Sequence, residues 1–131
     1  MSIEFLSIYD ASDLNVKMSG TIRPKTGAGI NINSSGEGRL AQNTNGANRK
    51  AHGLAYESGT KDGKTISLVR RARAKDTGAS FTQGGDIYTG INGDLTQTQP
   101  SSSGELIQRI GFALNATEFY LDVENETSQV A

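Results

Sequence analysis

Lys61-Asp62-Gly63-Lys64-Thr65-Ile66-Ser67-Leu68-Val69-Arg70-Arg71-Ala72-Arg73-Ala74-Lys75 joins a turn signal to a strand signal. Asp62-Gly63 tolerates the positive φ of a type I′ hairpin. Beyond it, Ile66 and Leu68 fall on one face of an extended chain and Val69 on the other, the period of two that marks a β-strand. The pattern recurs on both sides. Leu14, Val16 and Met18 alternate with Asn15, Lys17 and Ser19, and Phe119, Leu121 and Val123 alternate with Glu118, Tyr120 and Asp122. Ala51-His52-Gly53-Leu54-Ala55-Tyr56 reads as a strand with His52, Leu54 and Tyr56 on one side. Ile3-Glu4-Phe5-Leu6-Ser7-Ile8-Tyr9 has strand composition with imperfect alternation. Turn clusters separate these pieces at Asp10-Ala11-Ser12-Asp13, Lys75-Asp76-Thr77-Gly78, Asn92-Gly93-Asp94 and Pro100-Ser101-Ser102-Ser103-Gly104.

Composition agrees with many short strands. The chain has 131 residues, of which 34% are hydrophobic and 12 are Ala; Val, Ile, Leu and Phe together number 27. Gly, Ser, Thr and Asn supply 50 residues, a surplus of turn formers that starves long helices. A length of this order suits one domain. The expected fold is all-β, a small β-sandwich or barrel with an extended, loop-rich N-terminal arm.

Residues 25–50 are mostly Gly, Asn, Ser and Thr, with Ile30, Ile32 and Leu40 as the large apolar side chains. So polar a stretch reads either as a loop-rich excursion or as an arm that gains order only against a partner, and the arm is the favoured reading. The expected divisions are therefore an N-terminal arm with short strands over 1–50, a β-domain over 51–123 and a frayed polar tail over 124–131. Residues 106–114 read two ways. Ser102 and Glu105 have capping-box spacing ahead of a helical stripe, whereas a strand would place Leu106, Ile110, Phe112 and Leu114 on one face, with Gly111 allowing a bulge.

Few residues offer chemistry. Without cysteine there are no disulfides, thiolate nucleophiles or sulfur-ligated metals. His52 is the one histidine, on a strand face where a structural or interface role outweighs that of a base. Gly59-Thr60-Lys61-Asp62-Gly63-Lys64-Thr65 has one residue too few between its glycines for a phosphate-binding loop. Ser58 and Lys61 have dyad spacing but no helix to align them. No catalytic residue, cofactor or metal is expected. A net charge of −1 and the lack of a long apolar run point to neither nucleic acid nor membrane as partner. Arg71, Arg73 and Lys75 share one strand face, which reads either as a solvated outer surface or as a contact with an acidic partner or phosphates.

Gly53-Leu54-Ala55, Gly63-Lys64-Thr65-Ile66-Ser67-Leu68-Val69, Gly84-Gly85-Asp86-Ile87-Tyr88, Gly93-Asp94-Leu95 and Ile110-Gly111-Phe112-Ala113-Leu114 follow one another in an order that resembles the small capsid cement, or decoration, proteins of tailed bacteriophages. The resemblance spans 51–123, a little over half the chain, and leaves 1–50 outside it. It implies a β-rich protein without enzymatic activity, made in the host cytoplasm and placed on the outer surface of the virion head. There it would bridge major capsid protein subunits, often as a homotrimer, and stabilise the lattice. It also favours the strand reading of 106–114. Candidate capsid or subunit contacts are Ile3, Phe5, Ile8, Tyr9, Ile30, Ile32, Arg71, Arg73 and Lys75. The alternative is a virion fibre or receptor-binding module that recognises a host surface glycan.

Overall fold

Alternation of small buried and long exposed side chains shapes the central strand of the protein. In the computed structural model, which describes residues 3–10, 15–124 and 126–131, no described residue is helical. The strands are β1 (Ile3–Asp10), β2 (Asn15–Met18), β3 (Gly29–Ile32), β4 (Glu37–Leu40), β5 (Gly53–Ala55), β6 (Thr65–Val69), β7 (Arg71–Asp76), β8 (Asp86–Thr89), β9 (Leu95–Thr96), β10 (Leu106–Ile107), β11 (Arg109–Ala113), β12 (Glu118–Asp122) and β13 (Ser128–Gln129). The fold is all-β. A six-stranded antiparallel sheet runs β1-β7-β12-β11-β8-β9, and five strands close a barrel in the order β2-β4-β3-β5-β6. Within the barrel β2 and β4 pair in parallel. A short antiparallel pair, β10 with β13, completes the set.

Sheet and barrel share one path of chain. Arg70 alone separates β6 from β7; its N–H donates to the Asp10 carbonyl at 2.8 Å and its carbonyl accepts from the Val123 N–H at 3.0 Å. Two cores lie on either side of β5. Leu54 belongs to the sheet core with Val69, Ile87, Ile110, Phe119 and Leu121, whereas the next residue, Ala55, belongs to the barrel core with Val16, Met18, Ile30, Ile66 and Leu68. Successive side chains of a strand point to opposite sides, so three residues suffice to divide the two.

Size complementarity packs the sheet core. Ala72 and Ala74 of β7 are fully buried, and the larger Phe5 on β1 and Phe119 and Leu121 on β12 stand opposite them in register. Phe81 meets Phe119 edge to face, with ring centroids 5.7 Å apart. Full burial of a side chain such as Phe119 or Leu121 contributes about 1.5–3 kcal/mol relative to exposure.

A buried amide fastens the barrel to the sheet. Gln108 is 0% exposed, and its Oε1 accepts from the Ala51 N–H at 2.7 Å and from Thr89 Oγ1 at 2.6 Å. Its Nε2 donates to the carbonyls of Ala51 and Glu124, each at 2.8 Å. The adjoining turn also docks on the barrel: the Gly93 carbonyl accepts from the Gly29 N–H at 2.7 Å.

The structure corrects several expectations. Residues 29–32 and 37–40, read as part of an arm, supply two barrel strands, and Ile30 is 0% exposed. The barrel therefore runs across the division expected at residue 51. Amide side chains do there what apolar ones do elsewhere. Asn31 accepts from Arg39 Nε at 2.7 Å and donates to the Lys50 carbonyl at 2.8 Å, and Asn33 Oδ1 accepts from the Ser35 and Glu37 N–H groups. Residues 128–129 of the expected frayed tail pair with β10. The type I′ conformation falls at Asn92-Gly93, where φ is +53° and +81°; at the expected Asp62-Gly63 site only Gly63 has positive φ. Residues 106–114 contribute β10 and β11, and the Ser102 N–H to Glu105 contact of 2.8 Å closes a turn instead of starting a helix. The expected turn residues 11–13, and Leu14, lie outside the described residues.

Candidate functional site

The solvent-facing side of the large sheet collects side chains of a kind that protein interfaces favour. Alternation along β7 turns Arg71, Arg73 and Lys75 outward, while β12 presents Tyr120 and β11 presents Phe112. Register shifts on β1 between Phe5 and Ser7, and between Ile8 and Asp10, mark bulges at Leu6 and Tyr9. A bulge re-aims its side chain. Tyr9 accordingly reaches over the face, 57% exposed, with its ring 6.3 Å from that of Tyr120. Tyr120 continues the row to Phe112 at 5.6 Å, and the Arg109 guanidinium lies 5.9 Å from the Phe112 ring centroid.

β11 places Phe112 here through its own bulge. Arg109 pairs with Tyr88 and Gly111 with Ile87, so Ile110 is the extra residue and turns inward, 1% exposed. The phase of the strand changes at that point. Phe112 thus stands outside rather than beside Ile110 as the alternation alone implied. Gly111 is needed because a Cβ there would overlap the Tyr120 carbonyl oxygen of the neighbouring strand.

Charges on this face are paired along the ladder. Arg71 lies between Asp10 and Asp122, and Lys75 between Glu4 and Glu118. Arg73 lies between Ser7 and Tyr120, with Glu118 3.9 Å away. Directly opposed residues of neighbouring strands are about 5 Å apart. Arg71 Nη2 donates to the Tyr120 hydroxyl at 3.0 Å; this bond, followed by the charges of Asp122 and Asp10, holds the guanidinium above its ordinary value. Arg109 forks between Asp86 at 2.8 Å and Glu124 at 3.1 Å, and it too is held above the ordinary value, first by Asp86. The three cations of β7 therefore face four carboxylates and do not form a net positive strip. That removes the electrostatic ground for expecting them to seek an acidic surface or phosphates.

Four of the candidate contacts meet here: Tyr9 at the edge, with Arg71, Arg73 and Lys75 beside it; Ile8 is in register with the buried Ala72, on the other side of β1. Ile3 and Ile30 are also absent from this face, being 8% and 0% exposed within the two cores. Phe5 points inward, 6.1 Å from the Tyr56 ring, and Ile32 is half-buried against the barrel core. Tyr120, Phe112 and Arg109 escaped the sequence reading. The alternation over 118–122 already put Tyr120 opposite the apolar face, which was the available signal. β1 pairs only with β7, leaving its other edge without a strand among the described residues. Leu6 and Ile8 on that edge are 37% and 40% exposed.

Two other singled-out side chains make local contacts. The His52 Nδ1 accepts from the Ile32 N–H at 2.9 Å, and burial, then Lys50 and Arg70, lower its pKa from 6.5. Ser58 Oγ lies 3.2 Å from Thr26 Oγ1, a hydroxyl pair from the loops at the barrel end. No cluster of metal-ligating side chains occurs among the described residues. Compared with protein-family models and with curated proteins, the chain matches none.

Proposed function

We propose that the chain is a structural, non-enzymatic virion protein that binds the outside of a phage head and stabilises the major capsid lattice. Docking uses the outer sheet face and the adjoining β1 edge, and the working unit is a homotrimer. The observation that carries this reading is the continuous row Tyr9–Tyr120–Phe112–Arg109 beside a strand edge that has no pairing strand among the described residues. Tyr, Phe and Arg are enriched at interfaces: the rings bury large areas at small entropic cost, and the guanidinium offers several hydrogen-bond donors. An unpaired edge supplies main-chain donors and acceptors for an added strand. The resemblance of 51–123 to capsid cement proteins supplies the partner. A shell repeats its sites many times, so modest contacts at each copy add through multivalency.

Co-sedimentation of the purified chain with undecorated heads, and separately with host cells, tests the reading. Binding to heads together with raised heat resistance of the particles supports it. Tyr9→Ala should weaken binding at least tenfold, since this exposed ring can be truncated without touching either core. Binding to cells and not to heads, or Tyr9→Ala heads decorated as well as wild type, refutes it. Light scattering that finds only monomers both free and eluted from heads refutes the trimer.

A further inference from the structure

The sequence holds two Asn-Gly pairs, Asn45-Gly46 and Asn92-Gly93, and the fold treats them differently. Asparagine in such a pair is prone to lose its side-chain amide. The backbone nitrogen that follows it can attack the side-chain carbonyl carbon and close a five-membered imide, and glycine puts no Cβ in the way. The attack needs an N–H not held by an acceptor and a backbone free to swing through the ring geometry.

Asn92-Gly93 meets neither condition. The Gly93 N–H donates to the Ala41 carbonyl at 2.8 Å, and the Gly93 carbonyl accepts from the Gly29 N–H at 2.7 Å. Gln42 grips Asn92 twice, its Nε2 donating to Asn92 Oδ1 at 2.8 Å and its Oε1 accepting from the Asn92 N–H at 3.1 Å. Gly93 is buried, so closing the ring here would undo the contact of this turn with the barrel.

Asn45-Gly46 is open on each count. Both residues are exposed, and apart from its neighbours in the chain no atom lies within 4 Å of where a Gly46 Cβ would stand. Among the described residues, no hydrogen bond engages the Gly46 N–H or the Asn45 amide. The amide rests by contact alone on Gly104, where a Cβ would overlap it. The turn is closed by the Ala47 N–H donating to the Thr44 carbonyl at 3.0 Å. An exposed turn held in this way opens locally at little cost.

We propose that Asn45, and not Asn92, deamidates spontaneously in the folded protein, with water as the co-reactant. The Gly46 nitrogen gives up its proton and bonds to Asn45 Cγ, the Cγ–Nδ2 bond breaks, and Nδ2 leaves as ammonia. Water then opens the imide. Cleavage of the new N–Cγ bond leaves aspartate at 45, and cleavage of the original peptide bond leaves isoaspartate, with the main chain routed through Cβ. Each conversion consumes one water, releases one ammonia and adds one negative charge beside Gly104.

Incubating the full chain at 37 °C in mildly alkaline buffer and mapping its peptides by mass spectrometry tests the site. In the folded protein, aspartate and isoaspartate should build up at 45 at least tenfold faster than at 92, and the isoaspartate marks the imide route. In urea, with the fold removed, the two sites should react at comparable rates. Folded-state rates within tenfold of each other, aspartate at 45 without isoaspartate, or the same preference for 45 persisting in urea overturns the proposal.

Discussion

Replacing Gln108 by Leu tests whether the barrel is fastened to the sheet by hydrogen bonds rather than by packing alone. The two side chains are of similar size, so little cavity is made. Four hydrogen bonds are lost, to the Ala51 N–H, the Ala51 carbonyl, the Glu124 carbonyl and Thr89 Oγ1. Glu124 is exposed and recovers a partner from water, and the Thr89 hydroxyl can rotate. Ala51 is 1% exposed, and its two backbone groups are left stranded. A buried group deprived of its partner costs about 1–3 kcal/mol, so Gln108→Leu should destabilise by about 2–6 kcal/mol. That is a large share of the 5–15 kcal/mol typical of a domain. Urea unfolding followed by far-ultraviolet circular dichroism reads it directly, and Thr89→Val in the Gln108→Leu background should cost less than in the wild type. Gln108→Glu adds a pH signature. Burial raises the folded-state pKa of such a carboxyl above the unfolded 4.3, so stability falls as pH rises from about 4.3 towards the folded value. A loss below about 1 kcal/mol for Gln108→Leu, or a pH-independent Gln108→Glu, would show that packing holds the seam.

Three further outcomes are expected. Because the pKa of His52 is lowered on folding, the unfolded chain takes up a proton first, and stability conferred by the neutral ring above pH 6.5 is lost as pH falls below it; His52→Asn should flatten the wild-type slope just below pH 6.5 in urea titrations. Reversing Arg71, Arg73 and Lys75 to Glu should lower the melting temperature of the free protein, more at low salt than at 0.5 M, since each new carboxylate faces those of Glu4, Asp10, Glu118 or Asp122; an unchanged melting temperature contradicts the paired ladder. Gly111→Ala should destabilise by about 1–3 kcal/mol, because the added methyl meets the backbone of β12 and the ladder must shift; equal stability by chemical denaturation would show that the strands separate freely.

Strand character was legible wherever one face is buried. The alternation around β7 and β12 places Ala72, Ala74, Phe119 and Leu121 inside and Arg71, Arg73 and Glu118 outside, as the pattern implies, while Asp76 at the end of β7 is buried. Hydrophobic count misled over 25–50, since it does not register amides that bind backbone. Asn31 is 6% exposed with both ends of its amide hydrogen-bonded, which no tally of apolar residues reveals. The outer sheet face was half visible. Arg71, Arg73 and Lys75 announce themselves by spacing, but their neutralisation depends on which strands lie beside β7. Those partners are Glu4 and Asp10 from one end of the chain and Glu118 and Asp122 from the other. Phe112 was hidden by a bulge, because one inserted residue reverses the facing of everything beyond it.

The single residue between β6 and β7 has a mechanical consequence. A pull on the outer face of the sheet reaches the barrel along covalent bonds, through Arg70, without crossing a side-chain contact. β7 is flanked by β1 and β12, and β6 by β2 and β5, so tension along this path loads a ladder on each side in shear. Many hydrogen bonds then resist together instead of opening one at a time.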